Sequence, residues 1–328
     1  ARAFWAFLLW ASAPQRNINM SWQPSADLNT LKARADFSAY IRDFFRVRDV
    51  LEVETPLLSK AAVSDASLLP LAVTCLDKTC YLQTSPEYPM KRLLAAGSGD
   101  IFQICKVFRD EELGKRHNPE FSMLEYYRLH FDLQTLKDEV AQLVGDYLNI
   151  QRRMDLSYRQ AFIKYAQLDP FLASDDELQI KVQPFVGELK LNRDECLDLL
   201  ISHVVEPNLP KDTLVFIAQY PASQAALAQT YENDSGEWLA QRFELYVNGL
   251  ELANGYQELT DVVEQKQRFA REQSKSSETR IEDENFLQAL QHGLPDCSGV
   301  ALGLDRILML KLQQENISRV LSFDFERA

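Results

Sequence analysis

The chain has 328 residues, enough for one large domain or two ordinary ones with a substantial core. Hydrophobic residues make up 46% and charged residues 25%, the balance of a soluble globular protein and not of a disordered or membrane-embedded one. Lys plus Arg number 35 against 48 Asp plus Glu, and the resulting net charge of −13 repels phosphate backbones and disfavours a general nucleic-acid binder.

The first apolar run, Phe4 to Ala11 (FWAFLLWA), is too short to span a bilayer. Followed by Ala11-Ser12-Ala13 it has the form of a signal-peptide core, but only Arg2 supplies positive charge before it. The preferred alternative is that Met20 is the natural start. Residues 1–19 are then an N-terminal extension, 20–328 a catalytic domain, and the location cytoplasmic with no membrane partner. Residues 27–49 carry Leu28, Leu31, Phe37, Tyr40, Ile41, Phe44 and Phe45 at helical steps, with Asp27 as N-cap. A short apolar strand then ends at Thr55-Pro56. Residues 100–109 and 121–131 read as two antiparallel strands around a polar, functional loop, and 133–148 return to a helical period. Asn248-Gly249 joins Phe243–Val247 to Leu250–Ala253 as a two-residue hairpin, because both turn positions want positive φ. Residues 261–292 read as charged helix with a mobile stretch at 273–277, and Gly299 to Arg306 runs from a strand into an apolar helix. Strands grouped beside helices, without βαβ alternation, predict an α+β fold with an antiparallel β-sheet flanked by helices.

The five cysteines are odd in number and lack C-x-x-C spacing, and the four histidines are scattered, so neither a disulfide framework nor a Cys or His metal cluster is expected. Carboxylates are the stronger candidates. A two-residue turn pairs Tyr246 with Glu251 and Glu244 with Ala253, which puts Glu244 and Glu251 diagonally on one sheet face. Two like charges there invite a hard cation such as Mg²⁺, with a solvated acidic edge as the plain alternative. Strict alternation would turn Glu258 to the other face unless a bulge near Asn254-Gly255 intervenes; turned inward, it could hold a substrate ammonium group. Arg109 ends a strand and points into the Asp110-Glu111 … His117-Asn118 loop, where a guanidinium suits phosphate or carboxylate. Glu111 could accept from an adenine amino group and Phe121 could stack on the base. Gly299 and Gly303 allow close backbone approach, and Arg306 near a helix start could clamp a terminal phosphate. The segment is neither a P-loop nor a Rossmann fingerprint, and tight packing is its plain reading.

Taken together, Glu52-Val53-Glu54-Thr55-Pro56, Thr84-Ser85-Pro86-Glu87 with Met90-Lys91-Arg92-Leu93, Phe108–Glu111 through His117–Phe121, Glu251–Gly255 with Glu258–Asp261, and Gly303–Arg306 resemble, in order, the catalytic core of class II lysyl-tRNA synthetases. The resemblance spans about residues 27–328 and leaves no room before it for an anticodon-binding domain. Ser85 stands where bacterial lysyl synthetases usually have Ala, and Ala301 where they have Gly. With Pro221–Ala225 and Pro295–Gly299, these departures resemble the freestanding paralogues that attach (R)-β-lysine to a lysine side chain of elongation factor P.

That resemblance implies a class II aminoacyl-tRNA synthetase-like fold and an ATP-dependent, AMP-forming ligase that works as a homodimer. It implies Arg109, Asp110, Glu111, His117, Asn118, Phe121, Glu251, Leu252, Gly303 and Arg306 around ATP, with Arg109 and Arg306 catalytic. Ser85, Pro86, Glu87, Glu125, Tyr127, Glu258 and Ala301 would line the amino-acid pocket, and Glu244 and Glu251 would hold Mg²⁺. Asp110 stands where the nearest relatives often have Asn, which leaves its own role open. The acceptor would be elongation factor P and not tRNA. A truncated synthetase that charges tRNA, or a regulatory paralogue without turnover, are the other readings.

Overall fold

The computed structural model describes residues 22–64, 68–110, 113–275 and 281–328. The N-terminal extension, Glu111 and the Ser276-Ser277 end of the stretch read as mobile lie outside them. The chain forms two compact units, one of Asp132–Leu259 and the other of the residues before and after it.

The flanking unit begins with helix α1 (Leu28–Arg46), where the Asp27 carboxylate accepts from the Thr30 amide at 2.7 Å and Phe37, Ile41, Phe44 and Phe45 form the buried stripe. Strand β1 (Leu51–Glu52) follows, then β2 (Leu58–Ser59), β3 (Ala72–Cys75) and β4 (Lys78–Leu82), which make a small antiparallel sheet in the order β2-β4-β3. Helix α2 (Glu87–Ala95) leads to β5 (Ile101–Phe108) and β6 (Glu120–Leu129), an antiparallel pair as the alternating pattern predicts. β1 adds to β5 in parallel, a pairing that the sequence does not announce.

The second unit contains α3 (Leu133–Leu148), β7 (Arg153–Ser157), α4 (Tyr158–Ala161), α5 (Asp175–Val186) and α6 (Arg193–Leu200). Strands β8 (Leu214–Pro221), β9 (Thr230–Glu232), β10 (Trp238–Val247) and β11 (Leu250–Gln257) complete it. β10 pairs antiparallel with β8, β9 and β11, and β7 pairs in parallel with β8. The Asn248-Gly249 turn forms as read, with φ of 54° and 72°.

The flanking unit resumes with α7 (Val262–Lys275), α8 (Glu284–Gly293), β12 (Cys297–Gly303) and α9 (Leu304–Lys311). β12 pairs antiparallel with β6, which gives this unit the strand order β1-β5-β6-β12. Aromatic packing holds the helices to the sheet and to one another. Phe45 of α1 stacks on Phe102 of β5 at 4.6 Å, and Tyr88 of α2 stacks on Phe286 of α8 at 4.4 Å. Asp305, 1% exposed, accepts from Arg34 of α1 and from the Ser122 amide of β6 at 2.6 Å, and so ties three elements together.

Candidate active site

In the flanking unit the register of three strands builds a chemical surface. Gln103, Glu125 and Ala301 stand abreast on β5, β6 and β12, and so share one sheet face. Steps of two along β6 add Tyr127 in one direction and Phe121 in the other, with Gly299 beside Tyr127 and Gly303 beside Met123. Gln103 and Glu125 are buried, whereas Ala301 keeps some exposure.

The Glu125 carboxylate accepts from the Tyr127 hydroxyl at 2.6 Å and from the Ser85 hydroxyl at 2.8 Å. Ser85 in turn accepts from the Glu87 amide at 3.1 Å, which links the pocket wall to the start of α2, where buried Pro86 takes the cap position. Burial, reinforced by the charge of Glu87, pushes the Glu125 carboxyl up to about 7 against the pull of its hydrogen bonds and of Lys91. The Glu87 carboxylate, partly exposed, pairs with the Lys91 ammonium at 2.6 Å. Sequence reasoning did not assign Gln103 or Lys91 a role. Gln103 is found by its register with Glu125, and Lys91 by its single-turn spacing from Glu87.

Arg109 leaves β5 with its amide on the Pro119 carbonyl at 2.9 Å and its guanidinium 5.1 Å from the Phe121 ring. A planar cation and an aromatic ring thus stand together on the sheet end that carries the polar loop. Within that loop a Gly114–His117 bridge turns the chain, and His117 Nε2 accepts from Arg306 of α9 at 2.7 Å. The motif residues 117 and 306, far apart in sequence, are neighbours. A Cβ built on Gly303 would meet only the Arg306 side chain, at 3.8 Å, so the backbone there is open to close approach. Asn118 is buried: its amide donates to the Glu120 carbonyl at 2.7 Å and accepts from the Phe325 amide at 3.0 Å. Asp110 is exposed, with its amide on the Leu69 carbonyl at 2.8 Å.

The second unit places the other carboxylates. Tyr246 opposes Glu251 as expected, but Glu244 opposes Asn254 and not Ala253. Leu252 is the extra residue, so the bulge lies before Asn254 and not at Asn254-Gly255. The physical effect is the expected one: a one-residue insertion reverses the alternation, and Asn254, Tyr256 and, one step past the strand end, Glu258 fall on the side of Glu251. Leu252, 2% exposed, packs as core. Glu258 is 1% exposed, and its backbone carbonyl accepts from Gln229 at 3.0 Å.

Glu244 is engaged on both oxygens. Arg242 pairs with Oε1, while the Tyr220 hydroxyl at 2.7 Å and the Tyr246 hydroxyl donate to Oε2. Burial raises the Tyr220 and Tyr246 hydroxyls well above their ordinary range, and the Glu244 charge adds to this. Burial is the largest single effect on Arg242 and would lower it, but Glu244 together with Tyr256, Tyr220 and Glu251 outweighs it and holds the guanidinium protonated. This Arg–Glu–Tyr–Tyr cluster was not read from the sequence, although Arg242 two residues before Glu244 is a same-face spacing. A carboxylate offers about four acceptor sites, and three of those on Glu244 are taken. One remains on Oε1, and half-buried Glu251 stands diagonally across on the same face. An all-oxygen pair of this kind fits a hard cation that keeps water or phosphate as its other ligands.

The profile of the family tRNA synthetases class II (D, K and N) matches residues 14–327. The elongation factor P--(R)-beta-lysine ligase of Pectobacterium atrosepticum is 45% identical over 322 residues, 94% of this chain and 98% of that protein. The proteins of the same name from Edwardsiella ictaluri and Salmonella typhi are 46% and 45% identical over the same spans. The chain belongs to the class II tRNA synthetases of the D, K and N type, and within them it is similar over nearly its whole length to elongation factor P--(R)-β-lysine ligases.

Proposed function

We propose that this protein activates (R)-β-lysine with ATP and transfers it to a lysine side chain of elongation factor P. The observation that carries the reading is the shared sheet face of the flanking unit. Glu125 and Tyr127, joined by Ser85 from the start of α2, lie on the same strand β6 as Phe121, which stands beside Arg109 at the end of β5. A cation-binding pocket beside a phosphate-binding guanidinium is the arrangement needed to bring an amino acid to a nucleotide. The choice of β-lysine and of the acceptor rests on the names of the relatives.

In the proposed reaction the substrate carboxylate attacks the α-phosphorus of ATP in line, and pyrophosphate leaves. The acceptor amine then attacks the carbonyl of the adenylate, and AMP leaves. Arg109 neutralises charge on the α-phosphate and orients the carboxylate, and Phe121 stacks on the adenine. His117 and Arg306 hold the outer phosphates, Asn118 stiffens the loop beside the nucleotide, and Asp110, Glu111, Leu252 and Gly303 complete its surroundings. Ser85, Pro86, Glu87, Glu125, Tyr127 and Ala301 shape the amino-acid pocket, and Glu258 receives the ε-ammonium. Glu244 and Glu251 would hold Mg²⁺, which supplies charge neutralisation at the phosphates when bound.

We assign the protein to the cytoplasm as a homodimer. Exposed Leu28, Val47 and Leu51, at 74%, 68% and 56%, are separate apolar side chains of the flanking unit that a second copy could cover. No described helix is long and apolar enough to cross a membrane.

The deciding assay supplies ATP and labelled (R)-β-lysine or lysine, with elongation factor P or tRNA as acceptor. Label on elongation factor P is expected. Label on tRNA alone would establish the truncated synthetase instead, and no ATP–pyrophosphate exchange with either amino acid would establish a regulatory paralogue.

A further inference from the structure

We propose that Lys91 is a positioning residue for the amino-acid substrate: its buried ammonium fixes the Glu87 carboxylate and keeps the Glu87–Ser85–Glu125 wall of the pocket anionic. This rests on the proposed reading of that pocket as the amino-acid site. Lys91 lies one turn after Glu87 on α2, its side chain is 1% exposed, and its Nζ is 2.6 Å from Glu87 Oε1. The ammonium also sits 5.9 Å from the Phe286 ring of α8, which is too far inside to be a surface pair.

Stability does not account for this arrangement. Taking an ammonium out of water is costly, and apolar replacement of a buried ion pair is often neutral or stabilising. What Lys91 does supply is charge balance. Glu87 and Glu125 are joined through Ser85, which accepts from the Glu87 amide at 3.1 Å and donates to Glu125 at 2.8 Å. The Glu87 charge opposes ionisation of Glu125, and the Lys91 ammonium, paired with Glu87 at 2.6 Å, adds a smaller pull in the other direction. Among the described residues, the other titratable groups that act on them include Tyr88 on α2, Tyr127 on β6 and Cys105 on β5. Burial raises Tyr88 to above its ordinary range and Cys105 to about 12, and Tyr127 donates its hydroxyl proton to Glu125, so none of the three supplies a positive charge. Without Lys91, Glu125, already half protonated near neutrality, becomes mostly protonated there, and a cationic substrate meets a less anionic wall.

Lys91→Met, which keeps length and apolar packing, and Lys91→Arg, which keeps the charge, test this. In the ligand-free protein, carboxyl-carbon NMR of ¹³C-labelled Glu, assigned with Glu125→Gln, should show the Glu125 midpoint move up by about one pH unit in Lys91→Met. In ATP–pyrophosphate exchange the same variant should raise KM for the amino acid about fivefold at pH 7, with the deficit closing by about pH 9, and leave KM for ATP unchanged. Lys91→Arg should restore most of the loss. An unmoved Glu125 midpoint would overturn the proposal, as would a loss equal at all pH values and shared by ATP. Because the NMR readout needs no turnover, it stands apart from the proposed reaction, which fails on its own if the unaltered protein exchanges with neither amino acid.

Discussion

Glu125 is the residue whose environment most constrains the chemistry. Its burial and the neighbouring Glu87 push its carboxyl up to about 7, so it is half protonated near neutrality. In the proposed pocket a substrate ammonium would stay charged to well above that pH and bind the ionised form. Amino-acid affinity, measured by calorimetry, should therefore rise up to about tenfold per pH unit below 7 and level off above it. Glu125→Gln should flatten that dependence. The stability effect has the opposite sense. A carboxyl raised above its ordinary 4.5 contributes stability that is full below that value and is lost as pH rises through about 7. Glu125→Gln should therefore be more stable than the parent at pH 8.5, by on the order of 3 kcal/mol in urea unfolding. Arg109→Ala should lose at least about 1.5–3 kcal/mol of transition-state stabilisation, roughly 10–150-fold in exchange rate. Near-normal exchange in that variant would remove Arg109 from the proposed site. Ser85, Glu87 and Glu125 were legible from the resemblance, and the Tyr127 hydrogen bond follows from a same-face step of two along β6, but the one from Ser85 crosses 40 residues and no local pattern encodes it.

At the scale of elements, periodicity and caps locate α1, α3 and the β5–β6 pair closely, because each depends on neighbours in sequence. The β10–β11 hairpin shows where that stops. Its turn was legible, but its register moved by one residue at Leu252. Cross-strand packing decides where an extra residue is accommodated, and that decision carries Glu258 to the side of Glu251. The turn itself is tightly constrained. A Cβ on Gly249, at φ 72°, would lie 2.6 Å from the Glu206 carbonyl oxygen. Gly249→Ala should cost about 2–4 kcal/mol in equilibrium unfolding, the sum of a left-handed backbone and a backbone clash. Asp305→Ala should cost about 3–5 kcal/mol by the same measurement. It leaves the Arg34 charge and the Ser122 amide without their buried acceptor and frees α9, which carries Arg306.

For the whole molecule, the charge of −13 argues against nucleic acid and favours the proposed acceptor, since a protein lysine on a locally basic surface suits an acidic enzyme better than a phosphate backbone does. The exposed apolar side chains of α1 and β1 make the proposed homodimer testable: a parent that sediments as a monomer at all concentrations would remove it, and Leu51→Asp should shift a dimeric parent toward the monomer. Composition, period, capping residues, the Asn-Gly turn and the order of the motifs follow from the chain alone, since each is a property of residues within a few positions of one another. The partners of the buried charges do not. Glu244 meets a tyrosine 24 positions away, Asp305 meets an arginine 271 away, and His117 meets Arg306 across 189 residues. Long-range folding alone brings such groups within hydrogen-bonding distance, and burial there sets which of them stay charged.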